Sequence, residues 1–187
     1  MDVAQEGPEF EQVFAQYRAA LRRYILSMVR SDAEADDLLQ ETFVRVLRKL
    51  DTLENPAMLS PWLYRIATNV SRDRFRKTSR DPVQLESDDS DSEAVDGDAR
   101  LADLFERNEM SSCVQEYLHG LPDHYRSAIL LHDVEGMTIA EMAQMLDATP
   151  GALKIRLHRA RARLRQALQE ACSFSHDEDG VFVCERK

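Results

Sequence analysis

Apolar residues recur at intervals of three and four along most of this chain, the spacing that lines side chains up on one face of an α-helix. Phe14, Tyr17, Leu21, Tyr24, Ile25 and Met28 predict a first helix over 10–29. The second run opens with Ser31-Asp-Ala-Glu34, a capping box in which hydroxyl and carboxylate each satisfy an orphan amide of the first turn. It continues to about Leu50, with acids early and Arg45, Arg48 and Lys49 late, as the helix dipole favours. After the loop Asp51 to Ser60, "DTLENPAMLS", a third helix is predicted from Ser60 as N-cap and Pro61 at its first position to about Lys77.

The helical rhythm resumes near residue 101. Gly120 and Pro122 separate one helix from a second, Asp123 to Glu135, which Gly136 ends by accepting a left-handed cap. Thr138 and Glu141 make another capping box for a short helix to Leu146, and Asp147 to Thr149 form a tight turn. Thr149 then caps a last helix with Pro150 in its first turn. Two short helices joined by such a turn, with small Ala143 at their crossing, match a helix-turn-helix.

Between the two helical parts the periodicity disappears. The stretch "DPVQLESDDSDSEAVDGDA", Asp81 to Ala99, has too little apolar surface to offset its ordering entropy and is expected to be a flexible linker. The formal net charge is -10, and residues 81–110 alone hold 11 acids against 2 bases. The flanking parts are therefore near neutrality, with local basic stripes. The expected architecture is all-α: two small helical domains, 8–79 and 101–169, joined by an acidic linker at 80–100. A C-terminal extension at 170–187 is expected to form a short β-hairpin around Asp177-Glu-Asp-Gly180. The opening "MDVAQEGPEF" lacks the basic and apolar regions of a signal peptide, no window suits a membrane span, and three scattered cysteines fit a reducing compartment. A cytoplasmic protein is expected.

The last helix is the strongest functional signal. Lys154 to Arg165 contains six cations and no acid. Leu153, Leu157, Ala160, Leu164 and Leu168 share a stripe about 80° wide that suits a core. The cations fall outside it, without a carboxylate at i+3 or i+4 to pair with. A solvated charged face is the bland reading; the second helix of a helix-turn-helix, reaching phosphates and base edges in the major groove, is the favoured one. Residues 150–158 then lie nearest the bases, with Arg159, Arg161 and Arg163 on the backbone. The third helix divides similarly: Leu63, Ile66, Ala67 and Val70 face inward, while Tyr64, Arg65, Thr68, Arg72, Phe75 and Arg76 face outward. Rings that stack on unpaired bases beside cations that hold the backbone suit single-stranded nucleic acid, although Trp62, Tyr64 and Phe75 also read as packing residues.

Together the two halves resemble bacterial sigma factors. "DAEADDLLQETFVRVLRKL" is similar to the core-polymerase-binding helix of sigma region 2, and "NPAMLSPWLYRIATNVSRDRFRK" to the segment that melts and reads the -10 promoter element. "LPDHYRSAILLHDVEGMTIAEMAQMLDATPGALKIRLHRARARLRQAL" resembles region 4, the reader of the -35 element. With only a linker between them, the chain resembles the extracytoplasmic-function (ECF, group IV) sigma factors. The resemblance implies that Asp37, Gln40, Glu41 and Arg45 meet the β′ coiled coil of core RNA polymerase. It assigns Asn55, Trp62, Tyr64, Arg65, Asn69, Arg72 and Arg76 to -10 DNA, with the loop Asp51 to Ser60 forming a pocket for a flipped base. Thr149, Gly151, Ala152, Lys154, Ile155, Arg156, Arg159 and Arg163 are assigned to -35 DNA. Ile155 stands where the family commonly has a small polar residue. Implied partners are core RNA polymerase, through its β′ and β subunits, promoter DNA in duplex and single-stranded form, and an anti-sigma factor; no small-molecule substrate, cofactor or membrane insertion is implied.

An enzyme is not expected: the carboxylates of Glu86 to Glu93 have no apolar pocket, and there is no glycine-rich phosphate loop. Cys172, His176 and Cys184 suggest either packing within the hairpin or a metal or thiol sensor, but they leave a tetrahedral zinc site one ligand short. The rival function is a stand-alone helix-turn-helix regulator that binds duplex DNA without polymerase.

Overall fold

The computed structural model describes residues 9–78, 112–176 and 182–187, without the side chains at 77, 78, 112, 113, 174–176 and 182–186. The acidic stretch expected as a linker lies outside the described residues. The first group of helices is α1 (Phe10–Met28), α2 (Asp32–Lys49) and α3 (Leu59–Thr78). The second is α4 (Ser112–Gly120), α5 (Asp123–Ile129), a π-helical turn (Leu130–Val134), α6 (Ile139–Leu146) and α7 (Pro150–Ala171). Strands β1 (Cys172–His176) and β2 (Phe182–Arg186) follow and pair antiparallel, so the expected hairpin is present.

Within the first group each helix packs on the other two, around Leu21, Ile25, Met28, Ala35, Val46, Leu63 and Ala67, all essentially sealed from solvent. The start of α3 differs from expectation. Asn55, followed by Pro56, caps a 3-10 turn over Pro56–Met58 by accepting from the Ala57 amide at 3.0 Å, and α3 continues directly from it. Both Asn55-Pro56 and Ser60-Pro61 carry a cap-and-proline signal; the earlier one is used, and Ser60 lies inside the helix. At Ser31 one arm of the capping box forms, its hydroxyl accepting from the Glu34 amide at 3.4 Å. The other arm is diverted, because the Glu34 carboxylate takes Arg74 of α3 at 2.8 Å.

The second group follows its capping signals closely. Thr138 and Glu141 complete both arms of their box, Gly136 has φ 71°, and Asp147 turns the chain between α6 and α7 at φ 51°. A left-handed Asp is tolerated because its side chain is short and polar, and here the carboxylate takes Arg65 of α3. Thr149 accepts from the Ala152 amide at 3.2 Å and starts α7. The leucine stripe of α7 is buried as expected, at Leu153, Leu157, Ala160, Leu164 and Leu168. Each such leucine contributes about 1.5–3 kcal/mol by leaving water. The π-helical turn replaces the α-helix expected as far as Glu135 and carries His132 and Asp133 towards α7.

The two groups touch. α3 packs on α6, and α1 on α4 and α5, so one continuous apolar cluster spans both. Buried Arg126 joins them: its guanidinium donates to the carbonyls of Leu118, His119 and Leu121 at the end of α4, and to Met28 at the end of α1. At the C-terminus the hairpin is tied to α7 by the Lys187 amide on Ala171 O at 2.9 Å and by Lys187 Nζ on Gln169 O at 2.7 Å.

Candidate protein-docking and nucleic-acid surfaces

An open groove of about 700 Å³ runs between α1 and α2, lined by Phe10, Phe14, Leu39, Phe43, Val44 and Leu47 and rimmed by Arg18, Arg22, Asp36 and Gln40. The helical pattern brings Phe14 out of the core it was expected to join: Val13 is buried instead, and Phe14 stacks edge-on against Phe43 at 4.7 Å between centroids. Phe14, Val44 and Leu47 are 38%, 47% and 57% exposed, large apolar side chains in contact with water. Contiguous exposure of that kind marks a protein-binding surface. The rim is preset: Arg22 forks onto Asp36 at 2.6 and 3.1 Å and reaches Asp32 at 2.9 Å. Those bonds hold the Asp36 carboxyl below its ordinary range and the Arg22 guanidinium above its own. Asp37, Gln40 and Glu41, expected to meet a protein partner, are exposed beside this groove; Arg45 is half-buried, bonded to Glu41 at 2.5 Å and Asp73 at 3.4 Å. Sequence reasoning missed Phe14, Val44 and Leu47. For Val44 and Leu47 the signal was an apolar residue recurring outside the inward stripe of α2, whereas Phe14 falls within the stripe predicted for α1.

On α3 the expected DNA residues separate into two sets. Asn55 and Asn69 are exposed, Arg76 is exposed and paired with Asp73 at 2.6 Å, and Trp62 is half-buried. The other set is covered by the second helical group. Tyr64 is 4% exposed and donates to the Glu135 carboxylate, and both burial and that carboxylate raise its pKa. Arg65 pairs with Asp147 at 2.5 Å; Arg72 lies 3.3 Å from Asp123 and 3.4 Å from the Ser127 hydroxyl. Two of the residues placed on the outward face are thus corrected. Tyr64 and Thr68 are buried, Thr68 sharing a 2.7 Å hydrogen bond with Tyr24, because α3 has neighbours on two sides.

Along α7, Thr149, Gly151, Ala152, Lys154 and Arg163 are exposed, while Ile155, Arg156 and Arg159 are half-buried. Gly151 has nothing within 4 Å of where a Cβ would stand, so the fold itself does not require glycine there. Arg163 lies over the Tyr125 ring at 4.9 Å. Burial and then the nearby Arg72 lower the Arg156 pKa. Arg161 departs from the expected backbone grip: its Nε donates to Asp133 at 3.0 Å, in an ion pair whose carboxylate is 6% exposed. Burial alone would push Asp133 up, but hydrogen bonds from His132 and Arg161 outweigh it and hold its pKa down. The absence of an i+4 acid on α7 hid this partner, which comes from the π-helical turn.

In the hairpin, Cys172 pairs in register with Arg186, Phe174 with Cys184, and His176 with Phe182. Cys172 and His176 thus lie four residues apart on one strand. The side chains of His176 and Cys184 lie outside the described residues. Among the described residues no metal-holding cluster occurs, and no helix is long and apolar enough to cross a membrane.

An apolar groove with a charged rim beside a cationic, aromatic helix, followed by a helix-turn-helix with a cationic second helix, defines a transcription protein that docks on a protein and reads DNA. Residues 13–81 match the model of Sigma-70 region 2, and residues 111–164 that of Sigma-70, region 4. The chain is 34% identical to RNA polymerase sigma factor CarQ of Myxococcus xanthus over 90% of its own length and 93% of that protein's. It is 29% identical to ECF RNA polymerase sigma factor SigW of Bacillus subtilis over 86% and 89%. Among solved structures it resembles the sigma factor RpoE in complex with the anti-sigma factor NepR, from Bartonella quintana. That likeness has a TM-score of 0.64 and 26% identity and covers 86% of this chain and 96% of that one. The chain belongs to the sigma-70 family of RNA polymerase sigma factors, in its ECF group. Its function is to bind core RNA polymerase and direct promoter-specific transcription initiation.

Proposed function

We propose that the α1–α2 groove, with Asp37, Gln40, Glu41 and Arg45 beside it, is the surface that seats core RNA polymerase. The supporting observation is the exposed apolar strip Phe14, Val44 and Leu47, which an isolated soluble protein has no reason to present. In this reading residues 8–79 form the region 2 domain, in which Asn55, Trp62, Tyr64, Arg65, Asn69, Arg72 and Arg76 melt and hold the -10 strand. Residues 101–169 form the region 4 domain, in which Thr149, Gly151, Ala152, Lys154, Ile155, Arg156, Arg159 and Arg163 read the -35 duplex. The acidic segment 80–100 is the tether, and 170–187 a docked extension. The protein works in the cytoplasm by binding alone, with no catalytic step of its own. An anti-sigma factor holds it inactive, as NepR is paired with its sigma factor in the structural relative.

Run-off transcription with purified core enzyme on the DNA upstream of the protein's own gene and on a genomic promoter pool tests the assignment. Leu47→Asp is expected to abolish promoter-specific transcripts while leaving the helical spectrum unchanged. Full activity of that variant would remove the groove from the polymerase interface.

A further inference from the structure

One side of α7 carries a polar residue that the fold does not use. At about 100° per residue, Gly151, Ile155, His158 and Ala162 share a strip about 60° wide on the far side of the helix from the buried leucines. Gly151, His158 and Ala162 are exposed, and Ile155 is half-buried. No Lys, Arg, Asp or Glu stands in the strip; Lys154 and Arg165 flank it on one side, Arg159 and Arg163 on the other. Such a ridge between two cationic rails complements a major groove, whose floor of base edges runs between two phosphate backbones. Within the ridge His158 has no hydrogen bond, ion pair or ring contact among the described residues. Packing gains nothing from it, and histidine is a weaker helix former than alanine.

We propose that His158 is a specificity-determining residue for the -35 duplex, its imidazole N–H donating to a guanine, while Ile155 meets a thymine methyl on the neighbouring base pair. The inference rests on the assignment of α7 to that duplex. The choice of bases follows from the groups each side chain offers. An imidazole ring N–H is a donor, and guanine shows the major groove two acceptors, N7 and O6, between which one N–H can be shared. Adenine sets an amino donor beside its N7 and repels the same N–H. The thymine methyl is the one apolar group on that floor, and Ile155 is the one large apolar side chain of the strip. Three residues separate Ile155 from His158, about 4.5 Å of helix rise. Successive base pairs are roughly 3.4 Å apart, so the two side chains reach neighbouring pairs. His158 lies about 10 Å along the axis from Gly151, which extends the reading ridge beyond the first turn of α7.

The test offers full-length protein bound to core RNA polymerase a pool of promoter duplexes randomised across the -35 element. Bound sequences are compared for the unaltered protein, His158→Ala, His158→Asn and Ile155→Ala. His158→Ala should lose about five-fold of the preference for guanine at one base pair, the lower end for a single base contact, with the salt slope unchanged. His158→Asn should move the preference at that pair from guanine to adenine, whose N6 and N7 suit an amide. Ile155→Ala should lose the preference for thymine at the pair next to it. Base analogues isolate each contact on the preferred sequence. Guanine replaced by 7-deazaguanine, which lacks N7, should weaken binding of the unaltered protein and leave His158→Ala unaffected. Thymidine replaced by deoxyuridine, which lacks the methyl, should weaken the unaltered protein and leave Ile155→Ala unaffected. A uniform loss over all sequences for His158→Ala, an unaltered base profile, or affected pairs that are not neighbours overturns the inference. The α7 assignment survives that result if Lys154→Met and Arg156→Ala weaken duplex binding in the same assay, and falls with it if neither does.

Discussion

Replacing Arg126 by Met removes one guanidinium and keeps its apolar stem. In the fold that guanidinium is 7% exposed as a residue and donates to four carbonyls: Leu118 at 2.9 Å, His119 at 2.8 Å, Leu121 at 2.9 Å, and Met28. Leu118 and His119 belong to the last turn of α4, where helix carbonyls have no partner further along the helix, and Leu121 follows its end. Leu118 O keeps a second donor, the Leu121 amide at 3.1 Å, so the variant strands the carbonyls of His119, Leu121 and Met28. An unsatisfied buried acceptor costs about 1–3 kcal/mol, which puts the gross loss at several kcal/mol. Against this, Met need not be desolvated as a charge; that burial already lowers the Arg126 pKa to about 10, which still leaves it charged at neutral pH. The expected net destabilisation is about 3–5 kcal/mol, the lower part of what three stranded acceptors at about 1–3 kcal/mol each would cost. Urea unfolding of the full-length protein, followed by far-ultraviolet circular dichroism, measures it. Lys154→Met, at an exposed position, is the control and should stay within about 0.5 kcal/mol. A loss below about 1 kcal/mol for Arg126→Met would mean that water replaces the guanidinium and that Arg126 does not hold α4 to α1.

Four further outcomes are expected. Burial, then Arg126 and Arg30, bring the His119 pKa from 6.5 down to about 4, so His119 stays neutral in the fold while the unfolded chain protonates. Stability conferred by this group is complete above pH 6.5 and falls as pH drops towards 4. After discounting for its partial exposure the loss is about 1 kcal/mol; urea midpoints at pH 7.5 and 5 should differ less in His119→Gln than in the unaltered protein, and identical pH dependence would refute this. Asp133→Ala should cost about 2–3 kcal/mol in the same assay by removing the buried carboxylate that Arg161 and His132 share, and Asp133→Glu should recover part of it. Gly151→Ala should raise stability by about 0.5–1 kcal/mol, since helical glycine is unfavourable and a methyl group meets nothing. The same substitution should weaken -35 duplex binding if DNA approaches that bare backbone; unchanged affinity would place the duplex elsewhere. Arg156→Ala should cost about 1–3 kcal/mol on the preferred -35 sequence and less on variants of one base pair, while a uniform loss would assign it to phosphate.

What the sequence made legible was local. Thr138 with Glu141, Gly136, and Thr149 before Pro150 are signals read by the backbone within four residues, and each appears in the fold as expected. The leucine stripe of α7 was equally legible, because a helix with one apolar face has one place to put it. The misreadings share a cause: a partner from a distant element. Tyr64 and Thr68 lie off the inward stripe of α3, yet they are buried because a second neighbour covers them, and a helical wheel counts faces without counting neighbours. Glu34 left its capping box for Arg74, forty residues away, and Arg161 found Asp133 on a π-helical turn that spacing does not announce. In the α1–α2 groove the failure ran the other way. Phe14 has the correct period for a core residue, and only the geometry shows that the third helix does not reach it.

The cations of α7 divide into two kinds of work once their partners are known. Arg161 is spent within the fold on Asp133, and Arg163 lies over Tyr125. Lys154 remains exposed near the helix start, and Arg156 is turned towards α3. Part of the basic charge of the helix is therefore spent within the fold, and the rest is left for DNA. A salt titration of -35 duplex binding discriminates between them. Phosphate contacts release counterions, so each one lost lowers the slope of log affinity on log salt by about one. Lys154→Met should lower that slope, whereas Arg161→Met should leave it unchanged and appear as lost stability. A reduced slope for Arg161→Met would place its guanidinium on DNA, and Asp133 would then be a resting partner that the promoter displaces.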